Sequence, residues 1–354
     1  MGIPLIQKVS VGKYIMRRRR RAGSRFPLVL MLEPLFQCNL SCAGCGKIDY
    51  PEEILRQRLS VDECLGAASE CGAPIVSIPG GEPLMHPEIH EIAGGLTAQK
   101  KFVYLCTNAL LFKRQMDIFE PTPYLTFSIH LDGMRERHDS LVGREGVFDN
   151  AVEAIALAKK KGFRVTTNTT IYAGQTLTES VRLLDFINGL GVEGMTISPA
   201  FNYGNAREKK NFLERGETKA LFCNLLYEGK KRGWKFNHSS LFLDFLAGNQ
   251  NYRCTPWGNP TRNIFGWQRP CYLLDEGYAK TFRELMEETE WERYGFDRNP
   301  KCADCMVHCG YEPTAVMDTA AHPLKALIVK MRGVKKKRCY GHPVLPDSPP
   351  PSTT

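Results

Sequence analysis

Between residues 28 and 201, six apolar, β-rich runs are separated by stretches of helical spacing, and this alternation narrows the possible folds more than any other feature. The runs are Leu28–Leu35, Pro74–Ile78, Phe102–Cys106, Leu125–Leu131, Phe163–Ile171 and Gly194–Ser198. The clearest helical stretch, Val147–Lys161, has Val152, Ile155, Ala156 and Ala158 on one side and ends in Lys159–Lys161. Cations suit the negative end of a helix dipole, and Gly162 is a suitable stop. Leu177–Leu190, ended by Gly191, has the same form. Strands spaced by helices build βαβ units and a parallel sheet. Six units predict an α/β fold, a partial (β/α)6 TIM-type barrel with a cysteine-rich C-terminal extension and chemistry at the C-terminal ends of its strands.

The chain has 354 residues, a length for about two domains. With 43% hydrophobic residues it can build a large core, which excludes a disordered chain. The expected division is a basic N-terminal arm over 1–25, the barrel over 26–201, a cysteine-rich extension over 202–342 and a disordered Pro/Ser/Thr-rich tail over 343–354. No apolar run approaches the roughly 18 residues of a membrane span, and no secretory signal is visible. These features predict a cytoplasmic protein. Thirteen cysteines are many for a reducing compartment, and an odd count argues against a full set of disulfides. They need a chemical reason.

Directly after the first run comes Phe36-Gln-Cys38-Asn-Leu-Ser-Cys42-Ala-Gly-Cys45-Gly-Lys47. Three thiols within eight residues, in a loop at a strand's C-terminal end, can converge on one soft metal centre. Structural zinc needs four ligands, and no fourth follows at finger-like spacing. Three thiolates on a four-iron cube instead leave one iron open for a reactant. Gly80-Gly81-Glu82-Pro83 follows the second run, Thr107-Asn108 the third, and Ser128 with Asp132-Gly133 the fourth; Asn168 lies in the fifth and Ser198 closes the sixth. Glycines let a backbone approach a ligand closely, and a carboxylate pairs with an ammonium.

Over residues 26–201 this pattern resembles the radical SAM superfamily, whose hallmark is C-x3-C-x2-C after the first strand of a partial barrel. The resemblance implies that Cys38, Cys42 and Cys45 hold a [4Fe–4S] cluster whose fourth iron is chelated by S-adenosylmethionine. It further implies that Gly80, Gly81 and Glu82 hold the methionyl amine, with Asn108, Ser128 and Asn168 as further cofactor contacts. An external electron donor such as flavodoxin or ferredoxin is then expected. One position departs from the family: the residue before the third cysteine is usually aromatic and meets the adenine, and here it is Gly44.

The longer run from Cys38 to Lys47, with Tyr50-Pro51 and the Cys302–Pro313 segment CADCMVHCGYEP, resembles one branch, the adenosylhopane synthases of hopanoid biosynthesis. That resemblance implies addition of the 5′-deoxyadenosyl radical to the alkene of diploptene. The tertiary carbon radical so formed needs a hydrogen atom. A thiol at the barrel mouth outside the metal site can give one, and Cys106 is the candidate.

Cys254, Cys271, Cys302, Cys305 and Cys309 form a second candidate metal site, for an auxiliary [4Fe–4S] cluster or for zinc, the latter with His308 as a further candidate ligand. For a nearly insoluble substrate, the apolar Ile3–Ile15 followed by Arg17–Arg21 suggests peripheral contact with the inner face of the membrane. The rival function is a radical SAM peptide or RNA modifier. A non-enzymatic metal- or nucleic-acid-binding protein would leave the GGEP run without purpose, so a nucleic-acid partner is not expected.

Overall fold

The computed structural model describes residues 2–21, 25–201 and 212–335. Six strands run parallel: β1 (Val29–Leu32), β2 (Ile75–Ile78), β3 (Phe102–Thr107), β4 (Leu125–His130), β5 (Arg164–Ile171) and β6 (Gly194–Pro199). Each pairs with its neighbour in chain order, so the predicted α/β partial barrel is present. Three short strands complete the sheet: β7 (Thr261–Asn263), β8 (Gly266–Gln268) and β9 (Tyr278–Ala279). β7 joins the free side of β1 in parallel, and β8 and β9 follow antiparallel. The full order is β6-β5-β4-β3-β2-β1-β7-β8-β9, so residues beyond 202 extend the barrel sheet itself.

Side chains alternate across each strand. Val76, Ile78, Val103, Leu105, Phe127, Ile129 and Val165 are fully buried in the main core cluster, against the outer helices. Ser77, Cys106, Ser128, Asn168, Thr196 and Ser198 point the other way and line a cavity. Bulky branched residues normally fill the interior of such a barrel. Small polar ones leave it hollow here.

The expected helices form at Val147–Lys160 and Leu177–Gly189. The second is started by a capping box between Thr176 and Glu179, which satisfies otherwise unpaired N–H groups. The basic arm is helical over most of its length. Leu5–Arg21 is a helix lying across the N-terminal ends of the strands. The Tyr14 hydroxyl donates to the Pro27 carbonyl at 2.8 Å, the Tyr104 hydroxyl donates to Gln7, and Tyr14 and Ile15 pack with Phe26 and Leu28. In the C-terminal part, helices cover Arg215–Arg232, Ser240–Leu246, His308–Ala321 and Pro323–Arg332. The Ser240–Leu246 helix buries Leu241, Phe242, Phe245 and Leu246 in the core, and Ser240, Leu243 and Asp244 reach the cavity. The tail expected over 343–354 lies outside the described residues.

The aromatic ring of Phe127 holds three helical and loop layers onto β4. It is fully buried and meets Phe112, Phe119 and Phe163 edge-on at centroid distances of 4.8, 5.4 and 5.1 Å. Phe127→Ala should lower the unfolding free energy by about 3–5 kcal/mol in anaerobic denaturant titrations. A loss below ~1 kcal/mol would show that this wall is not what supports the neighbouring Ser128.

Candidate active site

The cysteine loop leaves the end of β1 and is held in place by the loop after β2. The Gly81 amide donates to the Leu35 carbonyl and the Glu82 amide to the Gln37 carbonyl, both at 2.9 Å. A Cβ on Gly81 would lie 2.2 Å from the Gln37 oxygen and 2.4 Å from that of Phe36, so only glycine fits. Gly80 has φ +51, and a Cβ there would lie 3.0 Å from the Leu35 oxygen. The close approach that these glycines permit is therefore to the chain entering Cys38.

Glu82 is almost fully buried. Its carboxylate accepts from the Thr107 hydroxyl at 2.7 Å, the Asn108 amide at 2.8 Å and the Leu84 amide at 3.1 Å. Burial outweighs these donors and raises its pKa to about 7, so a cation is the partner it lacks. The Asn108 side chain donates to Asn39 at 2.7 Å and reaches Cys38 Sγ at 3.9 Å, which ties the end of β3 to the cysteine loop. After β4, His130 pairs with Asp132 at 2.7 Å, and the other Asp132 oxygen accepts from the Thr170 amide. Burial opposes protonation of His130, but Asp132 prevails and its pKa is raised.

Cys38, Cys42 and Cys45 all line the cavity beside Gly80, Gly81 and Glu82. Burial, and then the neighbouring thiols, push the Cys42 pKa up, and Cys38 is pushed up to about 11, chiefly by burial. Converged, desolvated thiols of this kind become ligands when a metal supplies the missing positive charge. Among the described residues no three His, Cys, Asp or Glu side chains close around a single ion. Three soft thiol donors at one end of the cavity have the chemistry to hold an iron–sulfur group there. Ser128 and Asn168 line the same cavity.

Cys106 lies deeper, in the barrel wall. Its Sγ is 3.6 Å from Ser77 Oγ on β2, and Ser128 is its register partner on β4. Burial raises its pKa, with the two serine hydroxyls pulling weakly the other way, so the S–H bond is kept at neutral pH.

Lys47 and Tyr172 carry no role in the sequence reading, and His308 appears there only as a ligand if the second site holds zinc. Lys47 pairs with the buried Glu33 at 2.9 Å and lies over the rings of Phe36 and Tyr272. His308 meets Ser198 at 2.9 Å, so the polar end of β6 faces the helix His308–Ala321. Tyr172, just past β5, fills the space beside Gly44: a Cβ there would be 2.4 Å from its hydroxyl. Only the Gly44 departure hinted at this, and a contact across so many residues has no local signal.

The second cysteine group is also drawn together. Burial is the first cause that raises Cys254, Cys271, Cys305 and Cys309; Cys271 and Cys305 further raise Cys254 and Cys309, Cys271 raises Cys305, and Cys302 acts on Cys254, Cys271 and Cys305. Gly310 leaves room for Cys254 Sγ, which would lie 2.3 Å from a Cβ. Arg215 donates to the Cys305 carbonyl at 2.7 Å and stacks on Phe296 at 4.2 Å.

Residues 32–187 match the radical SAM superfamily, and residues 195–329 match a family described as a domain of unknown function. The barrel segment is thus similar to the radical SAM superfamily, whose members bind a [4Fe–4S] cluster and S-adenosylmethionine. It is 28% identical to an AdoMet-dependent heme synthase of Methanosarcina barkeri, over 48% of this chain and 50% of that protein. Streptococcus suis SuiB bound to S-adenosylmethionine shares the fold at a TM-score of 0.59 and 19% identity, over 72% of this chain and 62% of SuiB. Tagged anSMEcpe with bound AdoMet does so at 0.52 and 17%, over 86% and 99%. The chain spans about half the length of the heme synthase.

The Gly81 contact predicts a specific sensitivity. Reconstituted Gly81→Ala should hold at least about twofold less iron than the wild type, because the backbone around Cys38 must move. Gly94→Ala, whose Cβ meets nothing within 4 Å, should keep its full iron content. Equal iron in both variants would remove the glycine's role in seating the loop.

Proposed function

We propose that this chain is a radical SAM enzyme that joins the 5′-deoxyadenosyl group to the alkene of diploptene, forming adenosylhopane. The observation that carries the reading is the hollow barrel. Its cavity holds about 1190 Å³, above the ~300–1,000 Å³ usual for a ligand pocket. The cavity is polar at the Cys38–Cys45 end, around Glu82, Asn108 and His130, and apolar towards the other end, around Val11, Ile15, Val29, Leu226 and Trp234. A nucleoside head and a pentacyclic hydrocarbon tail divide in the same way. Cys106 sits in the wall between the two regions.

When bound, the cluster at Cys38, Cys42 and Cys45 supplies one electron that breaks the S–C5′ bond of S-adenosylmethionine and releases methionine. Glu82 holds the methionyl ammonium, which restores its charge by pairing. Gly80 and Gly81 fix the loop that aims it, and Asn108, Ser128 and Asn168 supply polar contacts around the sugar and methionyl groups. Tyr172 provides the aromatic surface at the adenine that Gly44 does not. Addition of C5′ to the terminal alkene carbon uses the π bond and leaves a tertiary carbon radical. The Cys106 S–H then gives its hydrogen atom, forming a C–H bond. The resulting sulfur radical returns to thiol with one electron and one proton, the electron from an external donor of the flavodoxin or ferredoxin class.

Anaerobic incubation with diploptene, reductant and S-adenosylmethionine, read by mass spectrometry, tests the assignment directly. Adenosylhopane is the expected product, and its absence beside a modified peptide or RNA would favour the rival reading. Cys106→Ala should still form 5′-linked adducts and consume S-adenosylmethionine, but yield at least about tenfold less adenosylhopane, with unreduced or diverted products in its place. Wild-type product at the wild-type rate would end the donor role.

For the second thiol group the reading is an auxiliary [4Fe–4S] cluster held by four of Cys254, Cys271, Cys302, Cys305 and Cys309. Replacing Cys302 and Cys305 together by alanine should remove about four irons per chain. Loss of about one zinc with iron unchanged would assign zinc instead.

A further inference from the structure

The N-terminal helix Leu5–Arg21 and the last helix Pro323–Arg332 each bury one face and show a second apolar face to solvent. On the first, Gln7, Tyr14 and Ile15 are buried, whereas Leu5, Val9 and Met16 are 76%, 46% and 59% exposed. Their spacing of four and then seven residues keeps them on one side of a helix. On the last helix, Ala326 and Val329 are buried, and Leu324, Leu327, Ile328 and Met331 are 74%, 50%, 55% and 64% exposed. Those four recur at i, i+3, i+4 and i+7, a continuous stripe turned outward. A solvated helix face does not normally carry four large apolar side chains in register.

The two helices share a charge pattern. The first carries Lys8, Lys13 and Arg17–Arg21, the second Lys325, Lys330 and Arg332, and neither contains Asp or Glu. Lys8, Lys13, Arg17, Arg19, Arg20, Lys330 and Arg332 are exposed. In sequence the last helix is followed by Lys335-Lys336-Lys337-Arg338, as the first ends in its arginine run. Some of these cations have local partners: Lys325 pairs with Asp318, Arg332 lies 3.7 Å from Asp244, and Arg19 donates to the Met317 carbonyl.

The two helices also meet at one place. Lys8, Val11 and Gly12 of the first and Leu327, Val329 and Lys330 of the last line the apolar end of the cavity. Lys8 is near enough to Lys330 for the two charges to repel, an effect second to burial in lowering the Lys8 pKa. This end lies at the N-terminal edge of the strands, away from the cysteine loop.

We propose that these two helices form a docking face for an anionic lipid bilayer, so that the hydrocarbon substrate enters the barrel from the membrane through its N-terminal end while the cofactor end stays in water. The occupant is a bilayer because apolar stripes flanked by cations match the acyl boundary and the anionic headgroups together. Entry of a lipid by this route rests on the function proposed above, whereas the docking itself does not.

The test is co-sedimentation of the full chain with vesicles of phosphatidylcholine containing about a third phosphatidylglycerol, against phosphatidylcholine alone. Wild type should partition at least about tenfold more to the anionic vesicles, and less as salt is raised. Two triple variants, Leu5→Ser/Val9→Ser/Met16→Ser and Leu324→Ser/Ile328→Ser/Met331→Ser, should each lose about tenfold or more of that binding. None of these six residues lines the cavity, so reductive cleavage of S-adenosylmethionine without lipid substrate should match wild type and report an intact fold. Wild type left in the supernatant, variants that pellet like wild type, or apolar faces consumed in a dimer that excludes vesicles would each overturn the proposal. Vesicle binding without conversion of diploptene would refute the assigned reaction and leave the docking standing. Conversion in detergent without vesicle binding would do the reverse.

Discussion

The backbone of Gly81 lies against the carbonyls of Phe36 and Gln37, and the polar end of the barrel depends on that contact. Two hydrogen bonds, donated by the Gly81 and Glu82 amides, join the loop after β2 to the segment that leads into Cys38. The same turn aims the Glu82 carboxylate at Thr107 and Asn108, and Asn108 in turn reaches back to Asn39 and Cys38. The ends of β1, β2 and β3 are thus one hydrogen-bonded unit before any cofactor is considered. A site held this way keeps its geometry because each member is positioned by a neighbour that is itself packed.

Below that unit the barrel is organised by side-chain size. Outward positions are filled by Val, Ile, Leu and Phe and make the core. Inward positions carry Ser77, Cys106, Ser128, Asn168 and Thr196, which cannot meet across the barrel. Space follows directly from their small volume, since interiors otherwise pack to crystal-like density. The cost of that space falls on the N-terminal end, where the strands need another cover. The helix Leu5–Arg21 supplies it through Gln7, Tyr14 and Ile15.

Legibility in the sequence followed the range of the interactions. All six barrel strands appear within a few residues of where hydrophobic periodicity places them, because burial on the helix-facing side is written into each strand separately. The helices at 147–160 and 177–189 were equally plain, since apolar spacing and end signals are local. The short strands β7 to β9 were not, being two or three residues long and stabilised by pairing with β1 and with one another. That the basic arm forms a packed helix is not legible locally, for a related reason. Its arginine run dominates the local composition, while the contacts that order it, to Pro27 and Tyr104, are made with distant parts of the chain. The thiols at 38, 42 and 45 are legible from spacing alone; the meeting of Cys254 with Cys305 and Cys309 depends on the close approach of Cys254 to Gly310 in the helix His308–Ala321.

Gly44 and Tyr172 carry that distinction furthest. A glycine before the third cysteine reads locally as a missing ring. In the folded chain the Tyr172 hydroxyl occupies the volume that any side chain at position 44 would need. The two positions therefore form one packing unit, in which a ring on the cysteine loop and a ring after β5 exclude each other. Supplying the ring from the residue after β5 leaves the loop free to turn tightly while placing the aromatic surface one residue beyond a strand that is paired with β6 up to Ile171. A ring next to a paired strand end is held more closely in place than one in the middle of a loop, because the ladder of hydrogen bonds fixes the adjoining backbone. What looks like a lost contact in the linear sequence is, in three dimensions, the same space filled from the opposite wall.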